Sequence, residues 1–184
     1  WFYRLTLIKS ISGIRGIVGD GFDYKTIQKF VLGFLQIQET GPILIARDGR
    51  SHGLNFSKKL CTFLHSMNKT VIDCGIIPTP TAQFIVEKKQ CSGGIIITAS
   101  HNPDNWNGLK FIDKDGCFIN QQKYKQLLQT VEIGGKIKQN NNESGKIIDY
   151  NHEALNKHLD NILNLSLINV DAIIKKKYKI VVDA

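Results

Sequence analysis

Ile95-Ile96-Ile97-Thr98-Ala99-Ser100-His101-Asn102-Pro103-Asp104-Asn105-Trp106-Asn107-Gly108-Leu109-Lys110 decides how the chain is read. Three consecutive isoleucines mark a buried strand, because β-branched side chains fit a covered, pleated surface. The run then breaks into small polar residues. Asn102-Pro103 is a turn signal, and a proline pushes the residue before it out of the helical region. Ser100 is therefore expected at a strand end, with small neighbours that leave its hydroxyl open. Open α/β sheets place their chemistry at such ends. Ser and Asn are also ordinary cap and turn residues, so this position alone is compatible with a structural turn. His101 adds an acid/base group and Lys110 a cation a short loop later. Those two make the loop a candidate site.

Upstream of this stretch, strands and helices alternate. Residues 7–11, 43–46, 70–75 and 92–98 read as strands. Residues 24–38, 52–67 and 82–88 read as helices, with Ser51 as a cap for the second. The first helix carries Ile27, Phe30, Val31, Phe34 and Leu35 at helical spacing. This alternation predicts an α/β domain with a mainly parallel, mixed sheet and helices on both faces. Residues 12–21, with four glycines, read as a loop or hairpin between the first strand and first helix. Their spacing is wrong for a dinucleotide fingerprint. Downstream come a short extended segment at 109–112, a turn at Asp113-Lys114-Asp115-Gly116, a further extended pair at 118–119 and a helix at 121–131. Residues 134–145 are too polar to fold alone. A helix at 152–163 and a strand at 179–184 close the chain.

The chain has 184 residues, enough for one domain and part of a second. Hydrophobic and charged fractions of 42% and 22% fit a globular protein. No apolar run approaches the roughly 18 residues of a membrane span, and residues 1–5 do not read as a secretory leader. The expectation is a cytoplasmic protein without a membrane partner. Cys61, Cys74, Cys91 and Cys117 form no Cys-x-x-Cys pair, so zinc is not expected and the thiols read as reduced. A net charge of +8 permits nucleic-acid binding. The lysines are scattered, however, and no aromatic-basic interleaving suggests a stacking platform, so no nucleic-acid partner is expected. Arginine occurs only as Arg4, Arg15, Arg47 and Arg50. In so Lys-rich a chain these are candidates for planar, bidentate anion contacts. No Gly-x-Ser-x-Gly elbow supports a serine hydrolase, and His101 adjoins Ser100 in sequence, poor geometry for a Ser-His dyad.

Thr98-Ala99-Ser100-His101-Asn102-Pro103 and Asn107-Gly108-Leu109-Lys110 closely resemble the active-site serine loop of the α-D-phosphohexomutases, the family of phosphoglucomutase, phosphomannomutase and phosphoglucosamine mutase. Ile14-Arg15-Gly16 resembles that family's first loop, although many relatives carry Asp where this chain has Gly13. Arg47-Asp48-Gly49-Arg50 resembles its Arg-Asp-x-Arg loop, and Gly75 to Pro80 its Gly-x-x-Pro-Thr-Pro element. The resemblance implies that Ser100 carries a phosphoryl group and passes it to a hexose phosphate through a bisphosphorylated sugar. Arg15 and Lys110 would then face the phosphate as cations. His101 and Lys110 would move or polarise the hydroxyl proton. Asn102, Arg47 and Arg50 would bind phosphate or support the site. It also implies Mg2+ on the phosphate of Ser100, with a hexose bisphosphate as activator. The family's other metal ligands lie in an Asp-Gly-Asp-x-Asp-Arg loop that this sequence does not contain, and Asp113-Lys114-Asp115-Gly116 reads as a turn.

By the same resemblance, residues 1–145 form the family's first domain. Residues 146–184 form a linker helix and the first strand of a second, and the remaining domains of the enzyme are its partners. Within the family the residues around Arg15 and Ser100 look most like the glucosamine-phosphate branch, with mannose and glucose phosphates as the alternative. A basic nucleic-acid-binding domain and a serine hydrolase are the readings from other classes. The 184-residue chain alone is expected not to isomerise hexose phosphates; a coupled assay on the purified chain that detected turnover would contradict this.

Overall fold

The structure is a computed structural model that describes residues 6–134 and 145–183. Trp1 to Leu5, most of the 134–145 segment and Ala184 lie outside the described residues. A hairpin opens the fold, β1 (Leu7–Ser10) and β2 (Gly13–Val18), followed by the short β3 (Gly21–Phe22). Then α1 (Tyr24–Gln36), β4 (Ile43–Arg47), α2 (Gly53–Ser66), β5 (Val71–Ile76), α3 (Thr79–Lys88) and β6 (Gly93–Ile97) alternate. The remainder is β7 (Trp106–Asp113), α4 (Gln121–Ile133), β8 (Ile147–Asp149), α5 (Asn151–Leu163) and α6 (Val170–Lys176).

The strands form one mixed sheet in the order β1-β2-β7-β6-β4-β5-β8, with β3 beside β2. Strands β6, β4, β5 and β8 run parallel, whereas β7 is antiparallel to both β6 and β2. Side chains alternate between the two faces, as the strand period requires. Ile43, Ile45, Ile95, Ile97, Leu109 and Phe111 pack under α1, α2 and α4. Leu44, Ala46, Ile96 and Ile112 pack under α3 and α5. That explains why β6 is apolar at every position: both of its faces are covered. Its two glycines set how closely the layers approach. A Cβ on Gly93 would stand 2.8 Å from the Phe34 ring, and one on Gly94 2.7 Å from Val86. Side-chain caps fix the starts of α1 and α4. Asp23 Oδ1 accepts from the Thr26 amide at 2.7 Å, which holds its carboxyl below the usual range, and Asn120 caps α4 in the same way.

Several segments differ from the sequence reading. Residues 13–18 form an interior strand, with β1 on one side and β7 on the other. The hairpin alternative for 12–21 therefore applies to its first half. The α2 helix begins at Gly53 with no side-chain cap, and the Ser51 hydroxyl instead lies 3.4 Å from His52 Nδ1. The last segment, Lys179 to Asp183, is not a strand. Among the described residues its β-branched side chains pair with no strand and remain exposed, and β propensity without a neighbouring strand does not make a ladder. Ile147–Asp149 pairs with β5, and Tyr150 and Ala154 join the second core. The first sheet thus extends past residue 145.

Cys61, Cys74 and Cys91 are buried, and burial pushes each thiol up to about 12. Cys117 is exposed. Iodoacetamide at pH 8 is expected to label Cys117 in the folded protein and the other three only after denaturation, as read by peptide mass mapping.

Candidate active site

The sheet order brings β2, β7 and β6 side by side, and their ends enclose a cavity of about 250 Å3. The β1–β2 turn contributes Ser10, Ser12 and Gly13, β2 contributes Arg15, and β7 contributes Lys110. The segment leaving β6 supplies Thr98, Ala99, Ser100 and His101. Register places Arg15 opposite Gly108, where a Cβ would stand 3.0 Å from the Arg15 Cβ. Gly13 sits at φ +117°, and a Cβ there would collide with the Leu109 carbonyl. Only glycine lets the first turn close against β7 at this point.

Ser100 is exposed and held at φ +57°. A non-glycine residue in the left-handed region costs about 1–2 kcal/mol and persists only where its surroundings impose it. Here the imposition is visible. The Ser100 amide donates to Thr98 Oγ1 at 3.0 Å, and the Asn102 amide donates to the Ala99 carbonyl at 3.1 Å. Behind the loop, Arg50 donates to four backbone carbonyls: Ser100 at 2.8 Å, Asn102 at 2.5 Å, Pro103 at 2.7 Å and Trp106 at 3.3 Å. Asp48 orients that guanidinium, accepting from Nε at 3.2 Å and from the Arg50 amide at 3.1 Å. The Arg50 side chain is only 10% exposed. Hydrogen bonds from a guanidinium are charge-assisted, and its planar fork suits several acceptors at once.

Of the sequence-predicted residues, Ser100, His101, Lys110 and Arg15 line the cavity together. Asn102 supports it, since its Oδ1 accepts from Arg15 Nη1 at 3.0 Å. Arg50 lies behind the loop and grips its backbone, so it shapes the site without lining it. Arg47 donates to the neighbouring Asp48 carbonyl and, among the described residues, does not line the cavity. Ser10, Ser12 and Thr98 were not singled out by the sequence. The signal was present in Ser10-Ile11-Ser12-Gly13, two hydroxyls at a hairpin turn, but the partner wall is nearly 90 residues away.

Among the described residues, the cavity lining holds two cationic side chains, Arg15 and Lys110, and no carboxylate. Among the described residues Lys110 forms no ion pair, and its ammonium lies 5.5 Å from the centre of the Phe118 ring. Such a lining suits a group with a double negative charge. By itself it offers no carboxylate to a divalent cation, which would need a phosphoryl oxygen on Ser100 and ligands from beyond this lining. No group of three His, Cys, Asp or Glu side chains among the described residues could hold a metal ion, and the Asp113 carboxylate is engaged by Lys123 at 2.7 Å.

Residues 7–138 match the family described as phosphoglucomutase/phosphomannomutase, alpha/beta/alpha domain I. The phosphoglucosamine mutase of Prochlorococcus marinus subsp. pastoris is 33% identical over 159 residues, which cover 85% of this chain and 34% of the relative. The phosphoglucosamine/phosphogalactosamine mutase of Sulfurisphaera tokodaii is 31% identical over 181 residues, covering 93% of this chain and 37% of the relative. The crystal structure of a phosphoglucomutase/phosphomannomutase family protein from Burkholderia thailandensis shares the fold with a TM-score of 0.69. It is 22% identical and covers 86% of this chain and 36% of that one. The chain thus spans little more than a third of the length of these relatives.

The strained backbone at Ser100 has a measurable consequence. Ser100→Gly is expected to be more stable than Ser100→Ala by about 1 kcal/mol in urea unfolding, because glycine relieves the left-handed strain and alanine does not.

Proposed function

The chain belongs to the phosphoglucomutase/phosphomannomutase family and matches its domain I, and from that premise we propose that it is the phosphate-carrying part of a phosphohexomutase. The observation that carries this reading is the open Ser100 hydroxyl in a cavity with two cations and no carboxylate in its lining. A serine hydrolase needs a base oriented by a third group. Among the described residues no acid lines this cavity to orient His101. Phosphoryl transfer depends instead on positioning and on stabilising charge.

In the proposed reaction phosphoserine at position 100 meets a hexose phosphate. The bond between Ser100 Oγ and phosphorus breaks as a bond from phosphorus to a sugar hydroxyl forms. The sugar hydroxyl loses its proton, and the serine oxygen takes one from the cavity. His101 and Lys110 are the proton-bearing side chains of this chain that line it. Arg15 and Lys110 stabilise the phosphoryl group, and Asn102 holds the Arg15 guanidinium in place. The bisphosphorylated sugar then returns its other phosphate to Ser100, leaving the isomer. Magnesium on the phosphate of Ser100 would supply further charge neutralisation. Its remaining ligands would come from outside the described residues.

Glucosamine 6- and 1-phosphate are the preferred substrate pair, supported by the names of relatives that cover most of this chain. Mannose or glucose phosphates are the second reading, supported by the name of the family. A cytoplasmic location fits phosphorylated sugars as substrates; no helix of the described residues is long and apolar enough to cross a membrane. The other domains are the proposed partners of the cavity.

Incubating the full-length protein with a hexose 1,6-bisphosphate is expected to add one phosphoryl group to Ser100, seen by intact mass and peptide mapping. Ser100→Ala is expected to take up none. An unlabelled wild-type protein would overturn the proposal.

A further inference from the structure

Lys110 presents an unusual arrangement for a cation in a binding cavity. Among the described residues no carboxylate pairs with it, yet it is not free, because its ammonium stands 5.5 Å from the centre of the Phe118 ring. A carboxylate partner would hold the ammonium but cancel the charge that a phosphate needs. An aromatic face attracts the ammonium through its quadrupole and leaves the net charge intact.

Hydrogen bonds around Phe118 fix the backbone that carries its ring. The turn after β7 is closed by the Asp113 amide donating to the Cys117 carbonyl at 2.7 Å, and the Ile119 amide returns to the Phe111 carbonyl at 3.2 Å. Gly116 sits at φ +76°, where a Cβ would stand 2.7 Å from the Gln83 carbonyl. In return, Gln83 Nε2 donates to the Gly116 carbonyl at 2.8 Å, which pins the turn to α3. Ile119 is buried in the first core. Phe118, its neighbour, is 38% exposed and presents its ring to the Lys110 ammonium.

The geometry points to Phe118 as a positioning residue that holds the Lys110 ammonium in the cavity, with its charge uncancelled, for the phosphoryl group on Ser100. Phe118 does not line the cavity. It acts through Lys110, and the turn at Asp113-Lys114-Asp115-Gly116 serves to place it. This inference rests on the phosphoryl-carrier reading of Ser100, but its structural half is measurable without any turnover.

Two measurements test it. In the chain labelled with 13C-lysine, ring currents should shift the Lys110 ε-CH2 signal upfield; Phe118→Leu should abolish the shift and Phe118→Tyr should keep it. In the full-length protein, Phe118→Leu should slow phosphorylation of Ser100 by a hexose 1,6-bisphosphate roughly two- to five-fold. Phe118→Tyr should restore the rate, and Phe118→Leu should add nothing in a Lys110→Met background. An unshifted Lys110 signal would overturn the inference. So would a Phe118→Leu rate equal to wild type, or a Phe118→Leu loss of the same size without Lys110. A ring-shifted Lys110 in a wild-type protein that takes up no phosphate would remove the carrier reading and leave the placement of Lys110 standing.

Discussion

The Arg50 guanidinium donates to the carbonyls of Ser100, Asn102, Pro103 and Trp106, and the shape of the serine loop depends on that grip. Backbone carbonyls at a strand end would otherwise turn to water, and the loop would sample many conformations. Gathered on one planar cation, they fix the turn and hold Ser100 in a backbone region it would not choose. Asp48 and the short β4–α2 loop hold the cation in turn. The arrangement couples two consecutive neighbours in the sheet, since β4 lies beside β6. Lysine could replace the charge at position 50 but not the fork.

Around that loop, the change of strand direction creates the cavity. The parallel strands β6, β4 and β5 form the usual α/β half of the sheet, while β7 turns back antiparallel and hands the edge to the β1–β2 hairpin. Strand β7 therefore carries Lys110 next to the strand that leads to Ser100, and β2 carries Arg15 next to β7. Two cations that are 95 residues apart in the chain share one wall because two strands are neighbours. Among the described residues neither is neutralised by a carboxylate in the lining, so the cavity keeps its positive charge. The proposed roles of these residues all follow from that charge and from the open hydroxyl between them.

Much of this was legible in residue order. Ile27, Phe30, Val31 and Phe34 repeat at helical spacing because one face of α1 lies on the sheet. The isoleucines of β6 announce a strand covered on both sides. What escaped depends on contacts between distant residues. Gly13 and Gly16 break the apolar pattern of β2, yet they are there because the backbones of Leu109 and Thr6 pass where a Cβ would be. Ile147–Asp149 shows no burial pattern because it is an exposed edge strand. Val181 and Val182 carry strand propensity without a strand to pair with. At the site, scarcity of arginine marked Arg15 and Arg50 as unusual. Composition could not say that one faces the cavity while the other grips the loop from behind, since that distinction is made by tertiary packing.

Arg50 sets the serine loop before any substrate arrives, and amide hydrogen exchange on the wild-type and Arg50→Lys chains measures whether it does. The amides of Asn102 and Trp106, which donate to Ala99 and Pro103 within the loop, should be protected in the wild type. Arg50→Lys should cost the loop about 1.5–3 kcal/mol of local stability, so those two amides should exchange at least ten-fold faster while Ile95 to Ile97 keep their protection. Equal protection of Asn102 and Trp106 in the two proteins would contradict the account.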